Sequence, residues 1–144
     1  MSSSPINNEK ELQTELKDLA IKAMEFSHSP YSTKKIGAAI RLSNGKIYSG
    51  CNIENASYGG TVCAERVAIW KAYSENKKPI HITHVAVASA EESPWPPCGF
   101  CRQVLAEFSK PDTLVVLTNT NNKEKALKFS ELFPFAFEPE HLTK

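Results

Sequence analysis

The chain has 144 residues, of which 41% are hydrophobic and 23% charged, and this describes one compact domain with a sizeable core. A formal net charge of +1, without a run of like charges, argues against a stable nucleic-acid partner and favours a small, roughly neutral ligand. The sequence shows neither a secretory leader nor the roughly 18 consecutive apolar residues of a membrane helix. We therefore expect no membrane association and a cytoplasmic protein whose four cysteines stay reduced.

The N-terminal part of the chain predicts a short tail followed by an amphipathic helix. Residues 1–7 are polar and are predicted to form a disordered tail, which leaves residues 8–144 as a single domain. Apolar side chains then recur at helical spacing from Leu12 to Phe26, and Pro30 ends the pattern. One helix is therefore expected to open the fold.

An Asn-Gly turn at residues 44–45 lies between two segments of alternating apolar residues, which is a strong signal for a β-hairpin. Helical and strand patterns alternate through the rest of the chain. A strand, a helix and a strand in that order imply a crossover and parallel pairing. We predict a mixed sheet sandwiched by helices, with strands at 36–42, 46–54, 80–90, 113–118 and 126–129, helices at 63–73 and 98–108, and a last helical turn at 131–137.

Two cysteine motifs carry the chemistry of the sequence: C-A-E at residues 63–65 and P-C-G-F-C at residues 97–101. Each is predicted to lie where a loop enters a helix, so that free backbone N–H groups favour thiolates. Cys98 and Cys101 lie on one helical turn and can share an ion, while Cys63 arrives from the other helix. Three thiolates predict a zinc site with a fourth position open for water.

Charged residues beside these cysteines suit catalysis. Glu65 can face the open zinc position without binding the metal, as a proton shuttle for hydrolytic deamination of a nucleobase. A glutamate in the first turn of a helix also has a purely structural explanation. Arg66 and Arg102 follow the two motifs, and we expect Arg66 to offset the negative charge of the thiolates, with a surface salt bridge as the alternative.

Two other roles for the cysteines are weaker. A closed structural zinc site would recruit Cys51, and a redox pair would use only Cys98 and Cys101. Strand alternation places Cys51 on the apolar face of its strand, as a small core residue. A redox pair would need neither Cys63 nor the adjacent glutamate.

These motifs resemble the small zinc-dependent cytidine deaminases. The resemblance covers most of the chain and implies a three-layer α-β-α fold with a mixed five-stranded sheet. It also implies hydrolysis of cytidine and deoxycytidine to uridine and deoxyuridine in pyrimidine salvage, by a homotetramer with shared active sites. The stretches that carry it are residues 29–32, 50–58, 63–66, 97–103 and 131–137.

The same resemblance implies contacts with a cytosine nucleoside. Asn52 and Glu54 are expected to bind the ribose hydroxyls, although both could be polar residues at a strand end. The backbone N–H of Ala64 is expected to bind the pyrimidine O2. The residues expected to reach the active site of a neighbouring subunit are Ala56, Tyr58 and Phe137.

The sequence departs from this family pattern at two positions. Lys34 stands where a phenylalanine usually packs against the pyrimidine, and Glu138 stands where glycine is usual. Lys34 is either a solvated loop residue or a group that attracts an anion. An anion-binding Lys34 would favour deamination of a nucleotide or of a modified cytosine nucleoside such as blasticidin S. Separate alternatives are RNA editing, which the low charge disfavours, and a noncatalytic zinc-stabilised interaction domain.

Overall fold

The computed structural model describes residues 5–77 and 79–143. Among these residues no helix has the length and apolar character needed to cross a bilayer. The helices and strands are α1 (Pro5–Met24), β1 (Ile36–Leu42), β2 (Ile47–Cys51), α2 (Ala64–Ser74), β3 (Ile82–Ser89), α3 (Gly99–Phe108), β4 (Ser109–Asn119), β5 (Glu124–Lys128) and α4 (Phe129–Leu132), with 3₁₀ turns at Tyr58–Gly60 and Pro139–His141.

The five strands form one mixed sheet in the order β2-β1-β3-β4-β5. Strands β3 and β4 are parallel, as the strand-helix-strand order predicts, and the other three pairings are antiparallel. The predicted hairpin is confirmed: β1 and β2 pair across the turn, where Gly45 has a φ of 89° that favours glycine.

Helices cover both faces of the sheet, which confirms the three-layer α-β-α arrangement. Helix α1 packs on a face made of small residues of β1 and β3, and a Cβ on Gly37 would lie 1.8 Å from the Ala20 carbonyl oxygen. That glycine permits the close approach of helix and sheet. Helices α2, α3 and α4 bury the opposite face, whose larger side chains include Ile40, Val85, Val115 and Leu117.

The two ends of the chain differ from the sequence-based prediction. Helix α1 begins at Pro5, inside the predicted tail 1–7, and proline is favourable in the first turn of a helix; residues 1–4 lie outside the described residues. The strand predicted at 126–129 ends at Lys128, because Glu131 accepts a hydrogen bond from the Lys128 N–H and starts α4 there. The helix predicted at 131–137 ends at Leu132, before Pro134.

Candidate active site and metal centre

The cysteines of the two motifs meet at the N-termini of α2 and α3. Cys63 is the residue before the first turn of α2, and Cys98 holds the same position on α3. The Cys101 N–H donates to the Cys98 sulfur at 3.4 Å, and Cys101 itself is buried in the first turn of α3. Loop-to-helix transitions therefore bring the motifs together, as the sequence predicts.

Sulfur positions match the geometry of a tetrahedral zinc site. The Sγ atoms of Cys63, Cys98 and Cys101 all lie within 4.8 Å of one another, and those of Cys63 and Cys98 are 3.8 Å apart. Zinc–sulfur bonds of about 2.3 Å in a tetrahedron place two sulfurs about 3.8 Å apart. These residues therefore fit a zinc ion held by three protein ligands.

Cys51 lies outside this cluster. Its predicted place in the core is wrong in part, because its side chain is half-buried and lines a groove of about 280 Å³ between α1, β2 and α2. Strand β2 is an edge strand, so that one flank of Cys51 has no neighbouring strand to cover it.

The thiols are prepared for metal binding by one another and by Arg66. A hydrogen bond from Cys101 and the neighbouring Arg66 lower the pKa of Cys63 to about 5. The same hydrogen bond and burial raise the pKa of Cys101, which therefore keeps its proton. Cys63 is therefore the thiolate of the Cys63–Cys101 pair in the metal-free site.

Glu65 is a buried carboxyl group beside the cysteine cluster. Its side chain is only 3% exposed, and its Oε1 atom is buried without a hydrogen-bond partner in the described residues. Burial, reinforced by the negative charge of Cys63, raises the pKa of Glu65 to about 7. A carboxyl group with this pKa can both accept and release a proton at neutral pH.

Arg66 lies against the cluster, whereas Arg102 does not. The Nη2 atom of Arg66 donates to the Cys63 sulfur at 3.5 Å, which fits the expected offset of thiolate charge. Arg102 instead donates to the carbonyl oxygens of Pro97 and Leu132, each at 2.9 Å, and ties the zinc loop to α4.

Phe100 contacts Arg66, and the sequence did not predict this contact. Its ring centroid lies 4.0 Å from the Arg66 Cζ atom, although the ring is 63% exposed. The available signal was an aromatic residue placed directly before Cys101 inside the motif. This ring-guanidinium contact places Phe100 next to the metal centre.

Asn52 has a buried side chain whose hydrogen bonds organise the loop before β1. Its Oδ1 accepts from the Ser27 hydroxyl at 2.5 Å and from the Ile36 N–H at 2.9 Å. Its Nδ2 donates to the Lys34 carbonyl at 2.7 Å. One amide hydrogen remains for a ligand, so Asn52 has a structural task that the sequence did not reveal.

Glu54 follows β2 and is held as an ionised acceptor by the loop before β1. Its carboxylate accepts from the backbone N–H groups of Tyr31 at 2.9 Å and Ser32 at 3.1 Å, and also from the Ser32 hydroxyl. The Ser32 hydroxyl bond is the main cause of a lowered pKa for Glu54. The carboxylate is therefore fixed in position and charged at neutral pH.

The other predicted substrate contacts are divided between the interior and the surface. Ala64 is fully buried as the first residue of α2, where helix geometry leaves a backbone N–H without an intrahelical partner. Ala56 is exposed. Tyr58 is 73% exposed and packs edge-on against Tyr31, while Phe137 is 53% exposed and stacks on His141.

Lys34 is half-exposed, and its ammonium group has a partner within the chain. Its Nζ atom forms an ion pair with Glu91 at 2.8 Å and lies 5.8 Å from the centroid of the Trp95 ring. The sequence suggested that this ammonium group is solvated or attracts an anion. The structure shows that it pairs with a carboxylate of the same chain.

Comparisons with known proteins agree with this site. The family model described as "Cytidine and deoxycytidylate deaminase zinc-binding region" matches residues 10–118. The chain is 46% identical over 123 residues to a cytidine deaminase of Halalkalibacterium halodurans, covering 85% of this chain and 92% of that protein. It is 40% identical over 136 residues to a probable cytidine deaminase of Dictyostelium discoideum, covering 94% and 89% respectively.

Solved structures show the same fold. The crystal structure of cytidine deaminase from Burkholderia pseudomallei is similar, with a TM-score of 0.81 and 41% identity over 86% of this chain and 98% of that one. A family match over most of the chain, together with a three-cysteine cluster, identifies the bound metal as zinc. The chain therefore belongs to the cytidine and deoxycytidylate deaminase family of zinc-dependent enzymes.

Proposed function

We propose that this protein hydrolyses cytidine and deoxycytidine to uridine and deoxyuridine, with release of ammonia, in pyrimidine salvage. The observation that carries the proposal is the cluster of three sulfurs beside a buried carboxyl group whose Oε1 atom has no partner in the described residues. This arrangement places a metal site beside a buried proton carrier. Relatives named cytidine deaminase at 46% and 43% identity support the choice of substrate.

The reaction needs a nucleophilic oxygen and two proton transfers. Cys63, Cys98 and Cys101 would hold the zinc ion, which would supply the Lewis acidity that makes a water molecule acidic near neutral pH. Glu65 accepts a proton from the attacking water and delivers it to N3 of the pyrimidine while oxygen bonds to C4. Glu65 then carries the proton of the new C4 hydroxyl to the exocyclic amine, which leaves as ammonia as the C4–N bond breaks and the C4=O double bond forms.

The remaining residues bind and orient the nucleoside. The backbone N–H of Ala64 donates to the pyrimidine O2, and the pre-aligned Glu54 carboxylate accepts from a ribose hydroxyl. Asn52 contributes its one remaining amide hydrogen to the ribose while its other bonds hold the loop. Arg66 stabilises the Cys63 thiolate by charge and hydrogen bonding.

We also propose a cytoplasmic homotetramer that completes its active sites from neighbouring subunits. Large aromatic rings are unusually exposed near the site, and Phe135 is fully exposed. Contacts with other subunits would bury these rings, and four free cysteines suit a reducing compartment. The residues that we expect to reach a neighbouring site are Ala56, Tyr58 and Phe137.

A deamination assay across four substrates tests the function: cytidine, deoxycytidine, deoxycytidylate and blasticidin S, with zinc-loaded protein. We expect turnover of the two nucleosides, with one ammonia released per uracil base formed. Turnover confined to deoxycytidylate or blasticidin S would refute the substrate assignment. No turnover at full zinc content would favour a noncatalytic zinc-stabilised domain.

Light scattering during gel filtration tests the proposed tetramer. A monomer would refute active sites that are shared between subunits.

A further inference from the structure

An ion pair joins two loops at the active-site edge of the sheet. Lys34 precedes β1 and Glu91 follows β3, and these strands pair so that Ile36 lies opposite Ser89. Both charged residues therefore lie at the same end of the sheet. From there the chain after Glu91 leads through the proline-rich loop to Cys98.

Both partners of this pair extend from anchored backbone. The Glu91 carbonyl accepts from Nδ2 of Asn119 at 3.0 Å, and Asn119 is fully buried at the end of β4. The Lys34 carbonyl accepts from Asn52, and the Lys34 N–H donates to the Ser32 hydroxyl at 3.0 Å. Since both loops are fixed, the 2.8 Å contact costs less conformational entropy than a pair between mobile side chains.

Lys34 lies on the loop before β1, and its backbone contacts the segment after β2 that carries the expected ribose contacts. Ser32 links the Lys34 N–H to the Glu54 carboxylate, and Asn52 binds the Lys34 carbonyl directly. With the ribose held by Glu54 and Asn52, a phosphate on the ribose would be the anionic group of the substrate. Lys34 is the basic residue whose backbone is hydrogen-bonded to this pair, directly to Asn52 and through Ser32 to Glu54. Glu91 neutralises the charge of the Lys34 ammonium, and its own carboxylate would repel a phosphate.

We propose that Glu91 is a specificity-determining residue, which withholds Lys34 from phosphate and so keeps the site selective for uncharged cytosine nucleosides. This inference rests on the proposed function, and in particular on Glu54 and Asn52 binding the ribose. It predicts that removing the Glu91 charge opens the site to nucleoside monophosphates, and that the gain depends on Lys34.

The test compares kcat/KM for deoxycytidine with that for its 3′- and 5′-monophosphates. Glu91→Gln should raise the monophosphate-to-nucleoside ratio for at least one phosphate position by about fivefold, the upper end for one exposed charge pair. Added salt should reduce this gain. The double variant Lys34→Gln with Glu91→Gln should return the ratio to that of the wild type.

Glu92→Gln is the matched control, because it removes the same charge one residue away and the Glu92 carboxylate forms no ion pair within residues 5–77 and 79–143. It should leave the ratio unchanged. An unchanged ratio in Glu91→Gln, or an equal gain in Glu92→Gln or the double variant, would overturn the inference. If the wild type deaminates neither nucleoside, the proposed function itself fails, which is a different result.

Discussion

The Arg66 guanidinium lies 4.0 Å from the centre of the Phe100 ring while its Nη2 atom donates to the Cys63 sulfur at 3.5 Å. The residue that follows the first zinc motif thus contacts a residue of the second motif. The ring limits the positions that the arginine can adopt and directs its charge toward the thiolate.

Loss of this ring should weaken zinc binding. We expect Phe100→Ala to lower zinc affinity by roughly twofold to fivefold, the value of one exposed cation–π contact. Competition with a chromophoric chelator measures the change. Phe100→Tyr keeps the ring and should retain wild-type affinity, and equal losses in both variants would show that the contact with Arg66 is not the cause.

The assignment of the zinc ligands predicts different results for two cysteines. Cys98→Ser should lose zinc during dialysis against a chelator, because two thiolates remain where three are needed. Cys51→Ser is the matched control and should retain one zinc per chain, since Cys51 lies outside the cluster. Zinc loss from the Cys51 variant would contradict the three-cysteine site.

Burial of Glu65 predicts a pH-dependent stability of the metal-free protein. The pKa of Glu65 is about 7 in the folded protein, whereas the usual value for a glutamate is 4.5. Between pH 4.5 and about pH 7, the folded protein therefore keeps a proton that the unfolded chain releases. The favourable contribution of this proton to the free energy of unfolding is complete below pH 4.5, declines as the pH rises towards 7 and is lost above pH 7. The difference between the two pKa values corresponds to about 3 kcal/mol in the free energy of unfolding.

Glu65→Gln removes this titration. The metal-free variant should be more stable than the metal-free wild type at pH 8, by up to about 3 kcal/mol, and should gain much less at pH 5. Urea unfolding of chelator-treated protein, at one protein concentration, measures both differences. An equal gain at the two pH values would rule out titration of Glu65 as the cause.

Removal of the Asn52 side chain should destabilise the protein as well as weaken nucleoside binding. Asn52→Ala leaves the Ile36 N–H and the Lys34 carbonyl without their partner, and we expect a loss of about 2–4 kcal/mol in the free energy of unfolding. Asn55→Ala alters an exposed residue and should cost much less. Similar stabilities for the two variants would contradict the structural task of Asn52.

The sequence predicted what depends on local pattern and spacing. The hairpin follows from the Asn-Gly turn at 44–45, and the metal site follows from three cysteines at the starts of two helices. Contacts between distant loops could not be predicted in this way. Lys34 and Glu91 are 57 residues apart, and their pairing depends on the register of β1 and β3.

The C-terminal segment shows a second limit of pattern. Its aromatic residues suggested a helical turn at 131–137, but the helix ends at Leu132 and Phe135 adopts a φ of 54°. Apolar spacing does not report that Pro134 stops the helix or that Phe135 is fully exposed. The tetramer proposed above would bury this ring between subunits, and the pattern of a single chain does not report such contacts.

The most direct test of the account compares Glu65→Gln with the wild type at equal zinc content and saturating cytidine. Glutamine keeps the shape of the side chain but cannot carry the proton. Glu65 is not part of the three-cysteine cluster, so the substitution leaves the metal ligands in place. We predict that the variant binds zinc normally and that kcat falls by about 10²–10⁴-fold. Turnover equal to that of the wild type, with zinc fully bound, would contradict Glu65 as the proton carrier.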